Sequence, residues 1–143
     1  MNAQDRMMQK KWGVFNHYLY SSEKGYTDFR GEHPEIIRKM AEEWNEQVDS
    51  FDTDLLAKTL HETGCGYYFI TVMQGTRFMI APNEAYCEIT GIAPGEGCCR
   101  RDLIADIGNS LKKYDIDLYL YYTGDGPHFD LTAGVRSLHI LRS

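Results

Sequence analysis

Basic residues are in short supply. Fifteen Lys and Arg stand against twenty-one Asp and Glu in 143 residues, a formal net charge of −6 with a pI near 5.3. A chain with that balance has no basic face with which to neutralise a polyanion, so nucleic acid is not an expected partner. Long apolar runs are also missing. Residues 1–11 are polar and charged, with the character of neither a secretory leader nor a spanning segment, so no membrane partner is expected and the expected compartment is the cytoplasm. Cysteine is scarce and poorly spaced for metal. Cys65, Cys87, Cys98 and Cys99 form no CxxC, and a vicinal pair such as Cys98-Cys99 is a poor disulfide with itself, so reduced thiols and no metal are expected. Neither GxGxxG nor GxxxxGK[ST] follows the first strand-like segment. That removes the main support for a nucleotide-binding or flavodoxin-like open sheet, and no cofactor is expected.

What is present is the composition of an ordinary globular domain: 43% hydrophobic and 25% charged residues, in a length that suits one domain. Ten tyrosines dominate an aromatic share of 13%, and Tyr-rich surfaces suit ligands that are part polar and part apolar, sugars among them. The apolar period changes repeatedly along the chain. Trp12-Gly13-Val14-Phe15-Asn16-His17-Tyr18 reads as a buried strand entering a loop. Pro34 opens a helix in which Ile36, Ile37, Met40, Trp44 and Val48 recur at three- and four-residue spacing. A second helix over 53–63 carries Leu55, Leu56 and Leu60, with Asp52 or Thr53 as N-cap and Gly64 as terminator. Tyr67-Tyr68-Phe69-Ile70-Thr71-Val72 reads as a strand covered on both faces. Residues 73–97 are expected to be loop with at most a turn of helix, before a helix over 102–114 and a third strand over 116–123. Strand, helix, strand, helix, strand is the pattern of a parallel α/β architecture, and the long polar loops after the strands are where a (β/α)₈ barrel carries its site.

Several separated segments, in order, resemble the α-L-fucosidases and related retaining glycoside hydrolases. Trp12-Gly13-Val14-Phe15-Asn16-His17-Tyr18 is similar to that family's first strand, in which an aromatic-Gly-x-Phe-x-His segment places the His at the sugar. Asp52 to Lys58 with Glu62-Thr63-Gly64-Cys65-Gly66-Tyr67-Tyr68, then Arg101-Asp102-Leu103 and Leu118-Tyr119-Leu120-Tyr121-Tyr122, continue the likeness. The resemblance implies a βαβαβ unit corresponding to the first three strands of a (β/α)₈ TIM barrel, left incomplete, since a whole barrel takes about 250 residues. It divides the chain into a polar N-terminal segment 1–11, a partial barrel domain 12–130 and a C-terminal tail 131–143 of doubtful origin, as from a truncated frame. It implies a carbohydrate ligand and action on glycosidic bonds in carbohydrate metabolism. His17 is the residue carried over. Where family members hold a His-His pair after strand 2, this chain reads Val72-Met73-Gln74-Gly75-Thr76-Arg77 with Pro82-Asn83 beyond, and Gln74 and Asn83 are expected to bind sugar hydroxyls in their place. The family's nucleophilic carboxylate follows the fourth strand, so the catalytic residues are unknown and the 143 residues alone are expected to be inactive. The alternative is a non-catalytic carbohydrate- or protein-binding α/β module. In the partial-barrel reading, strands 1 and 3 are expected to leave unpaired edges that favour self-association.

Other groups of catalytic residue type have ordinary explanations. Asp125 and Asp130 flank His128 in a Gly-Pro turn that by itself favours backbone bonding. Glu42, Glu43 and Glu46 fall on the polar face of a helix and read as solvated surface, and Trp12 and Trp44 read as core. Cys98 and Cys99 have no defined His partner.

Overall fold

The computed structural model describes residues 1–26, 33–75 and 77–123. The tail 131–143 and the Asp125, His128 and Asp130 group lie outside the described residues. The elements run α1 (Ala3–Lys10), β1 (Gly13–Asn16), α2 (Pro34–Asp49), α3 (Thr53–Thr63), β2 (Tyr67–Met73), α4 (Glu84–Thr90), α5 (Leu103–Lys112) and β3 (Asp117–Tyr122). The three strands form one parallel sheet in the order β1-β2-β3, which is the α/β class the sequence pattern predicts.

Local chemistry sets the helix ends. Pro34 occupies the first turn of α2, where a missing N–H costs nothing. Asp52 accepts the Leu55 N–H at 2.9 Å to start α3, and Gly64, at φ +78°, takes the left-handed position that ends it. Asp102 caps α5 in the same way, accepting from Ala105 N–H at 3.0 Å.

Packing follows the two periods. Met40, Trp44 and Val48 on α2, Ala57 and Leu60 on α3, and Leu103, Ile107 and Leu111 on α5 are buried in one cluster with Tyr68, Ile70 and Val72 of β2. Burial of Tyr68 pushes its phenol up to about 12. The alternate residues of β2 tell a different story. Tyr67 and Phe69 are half-buried whereas Thr71 and Met73 are buried, so β2 is covered on both faces only in its second half. Side chains alternate along a strand, and the helices cover the face of the sheet that receives the even-numbered residues. The other face is an aromatic layer: Phe15 stacks on Phe69 at 5.5 Å, Phe69 on Tyr119 at 5.0 Å, and Tyr67 meets Tyr119 edge-on at 6.0 Å. β1 is likewise not a buried strand, with Gly13 and Val14 half-buried and Phe15 and Asn16 exposed.

Three more expectations are corrected. The polar segment 1–11 holds a helix, α1, capped by Asn2 and tied to the start of β3 by Arg6, whose guanidinium grips Asp117 with two bonds at 2.6 and 2.8 Å. Its sequence has no apolar stripe to betray it, because ion pairs rather than burial dock it. Trp12 is 46% exposed and not core; its backbone carbonyl, accepting from Gly66 N–H at 2.9 Å, is what joins the sheet. Residues 73–97 are not merely loop. Phe78, Met79, Ile80 and Ala81 are buried, Met79 pairs with Cys98, and α4 follows, closed by Gly91 at φ +74°.

Candidate functional site

In a parallel sheet all strands end at one rim. His17 is the first residue beyond β1, Gln74 the first beyond β2 and Thr123 the first beyond β3. Hydrogen bonds lash these ends together. Tyr18 N–H donates to the buried Thr71 hydroxyl at 2.8 Å, and that hydroxyl donates back to Tyr18 O at 3.2 Å. The Thr123 hydroxyl donates to Met73 O at 3.1 Å. With the backbone held in this way, His17 Nδ1 meets Gln74 Oε1 at 2.9 Å. The amide oxygen accepts, so Nδ1 carries the proton. Nε2 makes no hydrogen bond among the described residues.

His17 is exposed rather than buried in the core. Beside it stand Phe15, with ring centroids 4.7 Å apart, and Tyr121, at 6.2 Å, themselves in edge contact at 5.2 Å. These rings are 42% and 39% exposed. A polar imidazole and amide beside an open aromatic wall is an arrangement that suits a ligand with hydroxyls on one side and C–H groups on the other. Sequence reasoning singled out neither Phe15 nor Tyr121. The signal was the two-residue step from Phe15 to His17, but joining Tyr121 to them requires the β1-β2-β3 register.

Asn83 is not brought to this pair. Its side chain accepts the Tyr86 N–H at 2.8 Å as the N-cap of α4. It lines a separate cavity of about 630 Å³ with Pro82, Glu84, Cys87, Cys98 and Arg100, whose walls include neither His17 nor Gln74. Asn83→Ala is expected to lower stability by about 1 kcal/mol in urea denaturation, the usual cost of a lost cap.

Glu43 departs from the solvated surface expected of the Glu42, Glu43 and Glu46 group. Glu42 and Glu46 are exposed, whereas Glu43 is half-buried and accepts the Tyr20 hydroxyl at 2.6 Å. Desolvation opposes its charge, but bonds from Tyr20, Ser22 and the Lys24 backbone outweigh it and hold the carboxyl below its ordinary range. The Tyr20 phenol is pushed up to about 12, by burial first and then by Glu43. Glu43 thus anchors the loop that follows His17. Because its carboxyl is more acidic folded than unfolded, its stabilisation is complete above the unfolded value and is lost as pH falls through the folded one. A Glu43→Gln variant should therefore be less stable near neutral pH and should converge on the parent in acid, as read by thermal unfolding at a series of pH values.

Burial pushes the Cys98 and Cys99 thiols up to about 12, which leaves little thiolate for nucleophilic attack at neutral pH. Trp44 is core, its Nε1–H donating to Met79 O at 2.8 Å. Among the described residues no group of three or more His, Cys, Asp or Glu is placed to hold a metal ion, and no helix is long and apolar enough to cross a membrane.

No family model matches the sequence, and no curated protein matches it. Solved structures do. An alpha-L-fucosidase GH29 from Bacteroides thetaiotaomicron superposes with a TM-score of 0.56 at 17% identity, covering 99% of this chain and 36% of that one. A bacterial fucosidase with a monovalent iminocyclitol inhibitor gives a TM-score of 0.56 at 18% identity, covering 99% and 36%. Another bacterial fucosidase structure, with a phenyl-triazole pyrrolidine inhibitor, gives 0.55 at 18%, covering 97% and 34%. The chain spans about a third of the length of these proteins, and what it shares with them is a fucosidase-like α/β fold.

Proposed function

We propose that this chain is the N-terminal part of a fucosidase-like glycoside hydrolase and that the rim of its sheet binds a sugar. The observation that carries the reading is the His17–Gln74 pair, held at 2.9 Å at the strand ends beside the exposed rings of Phe15 and Tyr121. The fucosidase-like fold supports it. In this reading His17 Nε2 accepts from a sugar hydroxyl, the Gln74 amide N–H group donates to another, and Phe15 and Tyr121 take the apolar face of the ring. Asn83, committed to its helix, contributes through the fold and not through the sugar.

Retaining hydrolysis needs two carboxyl groups about 5 to 5.5 Å apart, one to attack the anomeric carbon and one to protonate the leaving oxygen. The second part of the proposal is that the 143 residues bind a sugar without cleaving it.

Titration of the 143-residue chain with L-fucose, followed by the NMR signals of the His17 and Tyr121 rings, tests the reading. Saturable shifts at both rings are expected, with affinity reduced roughly fivefold to tenfold in His17→Ala and Gln74→Ala, the range of one lost hydrogen bond. Asn83→Ala should bind as the parent does. Shifts that are absent, or equal binding by His17→Ala, would remove the proposal; release of fucose from an aryl fucoside by the chain alone would remove its non-catalytic part.

A further inference from the structure

β2 carries an extra residue at the rim. β1 pairs with β2 as far as Asn16 beside Ile70, so His17 comes level with Thr71, and Thr71 is paired in turn with Tyr121 of β3. The next pair joins Met73 to Tyr122, so two residues of β2 advance against one of β3 and Val72 has no partner of its own. That slip changes which way the following side chain faces. In an unbroken strand, alternation would put Gln74 on the helix-covered face with Tyr68, Ile70 and Val72. Gln74 instead stands on the side of Phe15 and Tyr121, in contact with His17 at 2.9 Å. Two threonine hydroxyls hold the backbone at the slip, one from each side. Towards β1, Thr71 is 0% exposed and bonds both backbone groups of Tyr18, taking the place of a ladder partner where the pairing of β1 has ended. Towards β3, Thr123 donates to Met73 O, the carbonyl that leads into Gln74. Neither hydroxyl bonds the side chain of His17 or Gln74.

We propose that Thr71 and Thr123 are positioning residues: by holding the one-residue slip in β2 they turn Gln74 towards His17, fix the ring proton on Nδ1 and so aim the pair at a sugar. The last part rests on the reading of His17 and Gln74 as a sugar-binding pair, whereas the positioning itself is a property of the chain without sugar. The hydrogen bond a histidine makes at one ring nitrogen decides which nitrogen is protonated. Here that bond joins two strand ends. It is lost by a separation of about 3.6 Å, so a shift of about 1 Å at either end abolishes it. Thr71 fixes the end that carries His17, because it holds the residue that follows. Thr123 fixes the end that carries Gln74, because it holds the residue before. Loss of either hydroxyl therefore has the same result at the pair. Valine at position 71 keeps the volume and the branched shape of threonine but leaves the Tyr18 N–H and carbonyl without their partner, which frees that segment to turn elsewhere. Serine keeps the hydroxyl and with it the hold.

The test is heteronuclear NMR of the histidine ring nitrogens in the intact 143-residue chain, recorded without sugar at alkaline pH with the ring neutral, and then titration with L-fucose. In the parent the His17 proton is expected on Nδ1. Thr71→Val and Thr123→Val should move it towards Nε2, as Gln74→Ala should, and should weaken L-fucose binding roughly fivefold to tenfold. Thr71→Ser and Thr123→Ser should restore both readings. Leu60→Val loosens the buried core on α3 away from the rim and should change neither, which separates positioning from a general loss of stability. Because Thr71 is buried, the partly buried Thr123 supplies the deciding variant if Thr71→Val does not fold. A proton already on Nε2 in the parent would overturn the proposal. So would an Nδ1 proton left in place by the valine variants, or serine variants that behave as the valine ones, whatever the sugar does. A proton that moves as expected in a chain whose parent binds no L-fucose would uphold the positioning and remove the sugar reading instead.

Discussion

Trp44→Ala is expected to cost about 3–5 kcal/mol, the range found for removing a large aromatic side chain from a packed interior. Trp44 is 1% exposed and its ring sits among Tyr18 at 5.5 Å, Phe78 at 6.1 Å and the sheet-facing core. It joins the helix layer to the segment beyond β2, because its Nε1–H donates to Met79 O. Truncation removes apolar contact on every side and leaves a cavity that the strands behind it cannot close. Against a total stability of roughly 5–15 kcal/mol, a loss of that size takes a large part of the folded state. Urea denaturation should show the midpoint falling at nearly constant slope. Trp44→Phe is expected to lose far less, since it keeps most of the volume and Met79 O retains the Cys99 N–H at 3.1 Å as a donor. The only other tryptophan, Trp12, is exposed, so the blue-shifted part of the emission spectrum reports Trp44 and should disappear in both variants.

Arg101→Met should cost about 2–3 kcal/mol, the scale of hydrogen bonds made by a charged donor. The last carbonyls of a helix have no partner within it, and α2 ends in a crowded turn before α3. Arg101 reaches into that turn: one terminal nitrogen donates to Val48 O at 2.8 Å, which also accepts the Phe51 N–H at 3.1 Å, and to Phe51 O at 2.9 Å, while Nε donates to Asp106 on α5 at 2.7 Å. One side chain therefore closes α2, fixes the turn into α3 and joins both to α5. Methionine keeps the apolar stem and removes every bond the guanidinium makes. Arg101→Lys should recover only part of the loss, because a single ammonium cannot reproduce the planar fork. Equal stability of Arg101→Met and the parent in urea denaturation would show that solvent caps these carbonyls as well as the guanidinium does.

The difference between what could and could not be read in the chain is local against non-local. The helices α2, α3 and α5 were legible to within a residue or two because their signals lie within the helix: Pro34 in the first turn, Asp52 and Asp102 as caps, Gly64 as terminator, and apolar residues three and four apart. The strands were legible as β-forming runs, and their parallel pairing followed from the helices between them. α1 was missed because its hold on the fold is Arg6 and Lys10 reaching Asp117 and Asp115 more than a hundred residues away. α4 was half seen. A turn of helix is the most that residues 73–97 suggest, because the short helix behind Asn83 buries only Tyr86 and Thr90, too little for a periodic signal.

The site divides along the same line. By itself the sequence determined the parallel α/β architecture and the place of Gln74 just after the second strand, since caps, turns and side-chain period are properties of neighbouring residues. Only the tertiary structure decided that His17 and Gln74 touch, that Phe15 and Tyr121 stand beside them, and that Asn83 is spent on α4. Each of these depends on strand register or on the docking of one element against another. Those are set by burial summed over the whole core, in which Tyr68, Ile70 and Val72 must face the helices and so turn Tyr67 and Phe69 to the aromatic face.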